Sequence, residues 1–279
     1  MIVAECDGLI ASGLSLRGGK HKKNDDRFII KALDAEHLLI AVSDGMGGHP
    51  AGDIAAEDVI KSLNLITSDT DNKLLSIVYA IDRADTNIRN RVRKAFILEG
   101  MGATVTAAIL SRQKIWWGHV GDSRLYLMRN NFIRQVTKDH SFLQDFIDSG
   151  ELSEEEARSH PMAHVLDQCV GCLDMGADCG SFDTISGDSI LLSTDGLYRV
   201  VSDHQIGSMI TTSQDVSSSV DALLSLAIDN RTPVDTTVVF ACIIDCFCTS
   251  CVLLPLHSDL YSLFCRCKQR DTYRGLISC

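Results

Sequence analysis

Ala41-Val42-Ser43-Asp44-Gly45-Met46-Gly47-Gly48-His49-Pro50-Ala51-Gly52 begins where the apolar run Leu38 to Val42 stops. That run is short, continuous and rich in Leu, Ile and Val, the pattern of a buried strand. Asp44 therefore stands at a strand end, on the edge of a core. Four glycines in the next eight residues (45, 47, 48 and 52) let backbone approach whatever Asp44 holds. A helix is expected next, with Ile54, Ala55, Val59 and Leu63 on one face and Asp53, Glu57 and Lys61 on the other. A carboxylate at a strand end beside bare backbone offers the oxygen ligands a hard cation takes. Taken alone, a tight turn carrying an acid reads the same way.

The device recurs. Asp188-Ser189-Ile190-Leu191-Leu192-Ser193-Thr194-Asp195-Gly196-Leu197 is again an apolar strand ending in Asp-Gly. Between the two lies Ile115-Trp116-Trp117-Gly118-His119-Val120-Gly121-Asp122-Ser123-Arg124, with strand-like sequence resuming at Leu125. Three acids at core-strand ends are expected to converge on one cleft, where they repel unless a cation sits between them.

The chain has 279 residues, 45% of them hydrophobic, enough for one large domain or two small ones. Its formal net charge of −11 argues against a nucleic acid bound through its phosphates. A phosphorylated substrate stays compatible, because bound divalent cations reverse the local sign. The first residues show neither a basic nor a long apolar segment, so no secretory signal is expected. Five cysteines (6, 169, 172, 179 and 242) are scattered and read as reduced thiols of a cytoplasmic protein, with Cys242 a small core residue. Six more (246, 248, 251, 265, 267 and 279) crowd the last 34 residues, a loosely ordered extension. Their spacing is poor for structural zinc. Val252 to Leu256 is too short to span a membrane, and joining it to the last core strand puts Asp245 mid-span.

In chain order, Arg27–Leu33 and Leu38–Val42 form a hairpin, preceded by the basic loop Gly18-Gly19-Lys20-His21-Lys22-Lys23-Asn24-Asp25-Asp26. Helices are expected over 53–66 and 72–98. Strands follow over 103–110, 114–120, 123–129 and 132–136, read as one antiparallel meander. Residues 138–187 read as a flap, mostly irregular, with short helices near 141–149 and 153–158, the second opened by a capping box at Ser153. Helices over 203–212 and 215–229 and a strand over 236–244 complete residues 1–245. The pattern suits two packed antiparallel sheets with a helix pair on each outer face, an α+β sandwich in four layers, α-β-β-α.

Asn24-Asp25-Asp26-Arg27, Ser43-Asp44-Gly45-Met46-Gly47-Gly48-His49, Gly102-Ala103-Thr104, Val120-Gly121-Asp122-Ser123-Arg124, Thr137-Lys138-Asp139-His140-Ser141 and Ser193-Thr194-Asp195-Gly196 occur in this order. Together, over residues 9 to 245, they resemble the metal-dependent protein serine/threonine phosphatases of type 2C in their compact bacterial form. The resemblance implies the same α-β-β-α sandwich, with a centre of two Mn²⁺ or Mg²⁺ ions and a weaker third. It implies that Asp44 bridges the two ions, that the Gly45 carbonyl and Asp195 are ligands, and that Asp122 helps hold the third. Asp25 and Asp26 match an acidic pair that orders metal-bound water. The chemistry agrees: two cations about 4 Å apart generate a hydroxide nucleophile at neutral pH and offset charge on the phosphoryl oxygens, with no Ser, Cys or His nucleophile needed. Oxygen donors favour Mn²⁺ or Mg²⁺ over Zn²⁺.

Two departures stand out. Where the family has a phosphate-gripping Arg, this chain has His21, flanked by Lys20, Lys22 and Lys23. Either His21, with Lys20 and Lys22, meets the phosphate as point charges, or Arg17 reaches in instead. In the last motif the metal-binding Asp position falls on Val234, and Asp235 is displaced by one residue. One residue along a strand turns a side chain to the other face. Asp235 is expected to serve as a metal ligand through a bulge at Pro233-Val234; Asp229-Asn230 is a more distant substitute pair.

The expected function is metal-dependent hydrolysis of phosphoserine and phosphothreonine on proteins, opposing a serine/threonine kinase in signal transduction. The expected partners are phosphoproteins, including such a kinase or its targets, met by a monomer. Val234 keeps a second reading open: a pseudophosphatase that binds phosphoproteins without turnover.

Overall fold

The computed structural model describes residues 1–19, 22–46, 51–173 and 175–244. The expected phosphate binders His21 and Lys20, and the cysteine-rich tail, lie outside the described residues.

The chain opens with β1 (Ile2–Cys6) and β2 (Leu9–Leu16), a hairpin missing from the expected elements. Next come β3 (Arg27–Ala32), β4 (Leu38–Ser43), the two-residue β5 (Gly45–Met46), α1 (Gly52–Leu63) and α2 (Lys73–Lys94). A 3₁₀ turn at Phe96–Leu98 leads to β6 (Gly102–Ala103), β7 (Val105–Leu110), β8 (Lys114–Val120), β9 (Arg124–Arg129) and β10 (Phe132–Gln135). Then follow α3 (Gln144–Asp148), α4 (Glu154–Ser159), β11 (Asp178–Asp183), β12 (Ser189–Ser193), α5 (Asp195–Tyr198), α6 (Asp203–Thr212), α7 (Val216–Asp229) and β13 (Thr236–Ile243).

One sheet runs β1-β2-β13-β12-β9-β10 and the other β11-β8-β7-β4-β3; every pairing is antiparallel. β4 shows why they face each other. All six of its residues are buried. Leu38, Ile40 and Val42 point inward to meet Leu125, Ile190, Leu192 and Val239 of the opposite sheet. Leu39 and Ala41 point outward, to Ala55, Val59, Ile77 and Ile81 of α1 and α2. The period of two thus serves both faces of a strand buried on both sides. On the other outer face α7 packs Val220, Leu223 and Leu224 against Val238 and Phe240 of β13, joined by Ile206 of α6. These are the four layers expected. Helix starts follow their caps: Asn72 accepts from Leu75 N–H, and Ser153 and Ser202 open capping boxes with Glu156 and Gln205.

Three expectations change. The strands over 103–136 are not one meander: β7–β8 belongs to one sheet and β9–β10 to the other. The chain crosses at Gly121-Asp122-Ser123, where Gly121 adopts φ +104° against Thr104, a conformation and a contact that exclude a side chain. Residues 138–187 carry the short helices, but β11 within them is an edge strand paired with β8 rather than irregular chain. Finally, Cys169 and Cys172 are joined by a disulfide, with Cα atoms 5.2 Å apart in one turn, a separation that a bridge spans. Cys6, Cys179 and Cys242 remain thiols, and Cys242 is half-buried, packed against the core.

Candidate active site

The strand ends β4, β8 and β12 come out at one end of the sandwich, and their acids meet there. Asp44, Asp122 and Asp195 line a single cavity of about 920 Å³, together with Arg199 and Val234. Leu143 and Ile147 of the flap line it as well.

Asp44 is positioned by the residue that ends the Gly102-Ala103-Thr104 motif. Its N–H donates to Thr104 Oγ1 (2.9 Å), and its carbonyl accepts from Thr104 N–H (2.8 Å). Thr104 Oγ1 lies 2.7 Å from Ser123 Oγ, and Thr106 Oγ1 donates to the Ser123 carbonyl (2.6 Å). These buried hydroxyls tie the end of β4 to the crossing that carries Asp122. They satisfy backbone groups that no sheet partner reaches there. Beneath them His119 is buried, its Nδ1 2.9 Å from Thr106 Oγ1. Burial pushes its pKa down to about 4, so it stays neutral.

The acids crowd one another. The Asp44 and Asp195 side chains line the same cavity, and each acts on the other's ionisation. Burial, Asp122 and Asp235 push Asp44 up to about 7. Burial, followed by Asp44, Asp122 and Asp26, holds Asp195 well above the ordinary carboxylate range. Asp122 is raised by burial too, with Arg199 opposing. Behind them Asp26 is 2% exposed and likewise raised, chiefly by burial and then by Asp44. Its Oδ2 accepts from Thr194 (2.8 Å) and Thr237 (2.7 Å), while its buried Oδ1 has no hydrogen-bond partner. Such a cluster cannot be fully ionised unless positive charge enters it. Its donors are all oxygens, the set that suits Mn²⁺ or Mg²⁺. Among the described residues, no three His, Cys, Asp or Glu side chains are gathered closely enough to hold an ion by themselves. Backbone carbonyl and water must complete any coordination here, as magnesium sites commonly allow.

Asp235 departs from expectation. Its Oδ1 accepts from Gly18 N–H (2.6 Å) and its Oδ2 from Asp25 N–H (2.8 Å). β13 starts only at Thr236 and pairs with β2 in unbroken register, so no bulge in that ladder turns Asp235 to the cavity. Val234 faces it instead. Gly18 packs so tightly on the 234–235 backbone that a Cβ there would lie 2.3 Å from the Val234 carbonyl carbon. Asp229 and Asn230 are not a substitute pair: they end α7, and Asn230 Nδ2 donates to the Val200 carbonyl (2.8 Å).

Asp25 is half-buried on the same anchored loop, and Gly45 is buried in β5, paired with Ala103. Lys22 is exposed and does not line the cavity; its carbonyl lies 3.5 Å from Arg17 Nη1. One site residue was missed by reading the sequence. Arg199 reaches both Asp122 and Asp195, and its position one turn after Asp195 was the available signal.

An α-β-β-α sandwich that gathers strand-end aspartates into one cavity matches a known class of enzymes. Residues 12–144 match the family described as Protein phosphatase 2C. The chain is 32% identical over 233 residues to the serine/threonine protein phosphatase PstP of Mycobacterium tuberculosis, covering 81% of this chain and 45% of PstP. It is 32% identical over 216 residues to the protein phosphatase PhpP of Streptococcus pneumoniae, covering 75% of this chain and 87% of PhpP. A crystal structure of the PstP catalytic domain in complex with two manganese ions superposes with a TM-score of 0.75 at 31% identity, covering 85% of this chain and 99% of that one. The chain belongs to the protein phosphatase 2C family. It spans about half the length of the PstP relatives that it matches.

Proposed function

We propose that this chain hydrolyses phosphoserine and phosphothreonine esters on proteins, at a centre of two divalent ions, Mn²⁺ or Mg²⁺. The observation that carries the reading is the convergence of the strand-end acids Asp44, Asp122 and Asp195 on one cavity, where burial raises all three above the ordinary carboxylate range. Asp44, the Gly45 carbonyl and Asp195 would hold the ions, with Asp25 and Asp26 ordering water behind them. Bound there, the ions supply a water nucleophile at neutral pH and offset charge on the phosphoryl oxygens.

The chain's own residues do the rest. Thr104 and Ser123 fix the Asp44 backbone, so its carboxylate cannot withdraw. Asp235 anchors both ends of the basic loop that carries Lys20, His21 and Lys22, the groups assigned to the phosphate. The flap wall, through Leu143 and Ile147, contacts chain on either side of the phosphoresidue. The phosphatase domain is residues 1–245, and the protein acts in the cytoplasm against a serine/threonine kinase. Among the described residues no helix is long and apolar enough to cross a membrane.

Val234 on the cavity wall favours one other reading, a pseudophosphatase that binds phosphoproteins. Hydrolysis of p-nitrophenyl phosphate with and without millimolar Mn²⁺ separates them. Metal-dependent turnover supports the enzyme; none from folded protein supports the binding module.

A further inference from the structure

The guanidinium of Arg199 lies between two of the strand-end acids that line the cavity, Asp122 and Asp195. Nε is 2.7 Å from Asp195 Oδ2, an ion pair without the alignment of a hydrogen bond, and Nη2 donates to Asp122 Oδ2 at 3.2 Å. The three side chains are 21%, 15% and 9% exposed, so little solvent screens them. The placement is built by the chain. α5 starts at Asp195, and Arg199 caps it, its N–H donating to the Asp195 carbonyl (3.1 Å). One helical turn puts the two side chains on the same face.

Among the described residues, the other Arg and Lys side chains that line the cavity are committed elsewhere. Arg124 grips Asp139 through Nε and Nη2 (2.8–3.1 Å) and lies over the Tyr198 ring, 3.7 Å from its centroid. Lys138 pairs with Asp148. Asp122 Oδ2 accepts from Arg199 Nη2. Its charge is therefore met by the chain itself, through a guanidinium.

We propose that Arg199 is the resident cation at the Asp122 end of the cavity, standing where a third divalent ion would otherwise sit. This rests on the two-ion reading above. A divalent ion reaches Asp122 only by displacing the guanidinium, since two cations cannot share that edge at contact distance. Arg199 thereby restricts the chain to the Asp44–Asp195 ions and leaves a fixed positive charge beside them.

Calorimetric titration of the full chain with Mn²⁺ tests this without recourse to activity. Arg199→Gln is expected to gain one Mn²⁺ equivalent over wild type, or to bind its weakest ion about tenfold more tightly. Asp122→Asn in the Arg199→Gln background should abolish the gain, whereas Asp122→Asn alone should leave the Mn²⁺ equivalents of wild type unchanged. Should Arg199→Gln fail to fold, Arg199→Lys serves instead. A lysine cannot pair with both acids as a fork does, so a smaller gain in the same direction is expected. Identical titrations for wild type and both variants would overturn the proposal while leaving the two-ion reading intact. A wild-type chain that takes up no Mn²⁺ at all would remove that reading, and this inference with it.

Discussion

Asp235 accepts the backbone N–H of Asp25 through Oδ2 at 2.8 Å, across 210 residues of sequence. Its other oxygen takes Gly18 N–H, so one carboxylate clamps both ends of the loop that runs into the acidic pair. Asp235→Ala leaves two backbone donors without their acceptor, each loss worth about 1–3 kcal/mol. Urea unfolding should show a stability lower by about 2–6 kcal/mol. KM for a phosphopeptide should rise while Mn²⁺ affinity changes little. Asp235→Asn, which keeps one oxygen acceptor, should lose roughly half as much. An unchanged unfolding midpoint with a weakened Mn²⁺ site would mean that Asp235 serves the metal and not the loop.

Val234 presents an apolar side chain to the cavity that Asp44, Asp122 and Asp195 also line. Val234→Asp adds an anionic donor and should tighten Mn²⁺ binding by about tenfold in calorimetry. The same change should lower the melting temperature of the metal-free protein, because it puts one more carboxylate into a crowded cluster. Unaltered Mn²⁺ binding would show that position 234 does not reach the ions.

Asp44→Asn should reduce turnover by about a thousandfold or more, since one lost carboxylate weakens both ions. Near-wild-type activity across a Mn²⁺ titration would refute the assignment.

The same carboxylate sets a pH dependence for the metal-free protein. In the fold Asp44 is pushed up to about 7 by burial, Asp122 and Asp235, from an ordinary value of 3.8. Between those values the folded chain binds more protons than the unfolded chain, so stability falls as pH rises from about 4 to 7. The raised values of Asp26, Asp122 and Asp195 act in the same direction. Melting temperatures without metal should therefore decline over that window. Saturating Mn²⁺ should flatten the decline, because the cation replaces the protons. A metal-free profile that rises with pH would contradict the crowding.

On the flap, Phe142 and Phe146 are exposed, with ring centroids 5.9 Å apart, and neither lines the cavity. Replacing both by Ala should weaken hydrolysis of a phosphoprotein severalfold and leave p-nitrophenyl phosphate hydrolysis unaffected, since an aryl ester is too small to touch them. Equal losses on both substrates would assign the pair to stability instead.

The layers and the strand-end acids were legible because they are local. β4 reads as a buried strand from its own six residues, and the repeated apolar run ending in Asp marks Asp44, Asp122 and Asp195 without reference to anything distant. The order of motifs carried the family for the same reason. β2 was harder to see, because Ser and Gly interrupt Leu9–Leu16 and no clean period remains.

Partners far apart in the chain decided the rest. Whether β8 and β9 form a hairpin depends on which sheet each joins, and the turn at Gly121 suits either until Thr104 packs against it. The direction of Asp235 is set by Gly18 and Asp25, more than two hundred residues away, whose N–H groups need an acceptor that only this carboxylate supplies in place. Arg199 reads in sequence as one more charged residue at a helix end. Only the pairing of β12 with β9, which sets Ser193 opposite Arg124, gives it two acids to hold, because a side chain's partner is fixed by strands that lie about seventy residues apart in the chain and meet in one sheet.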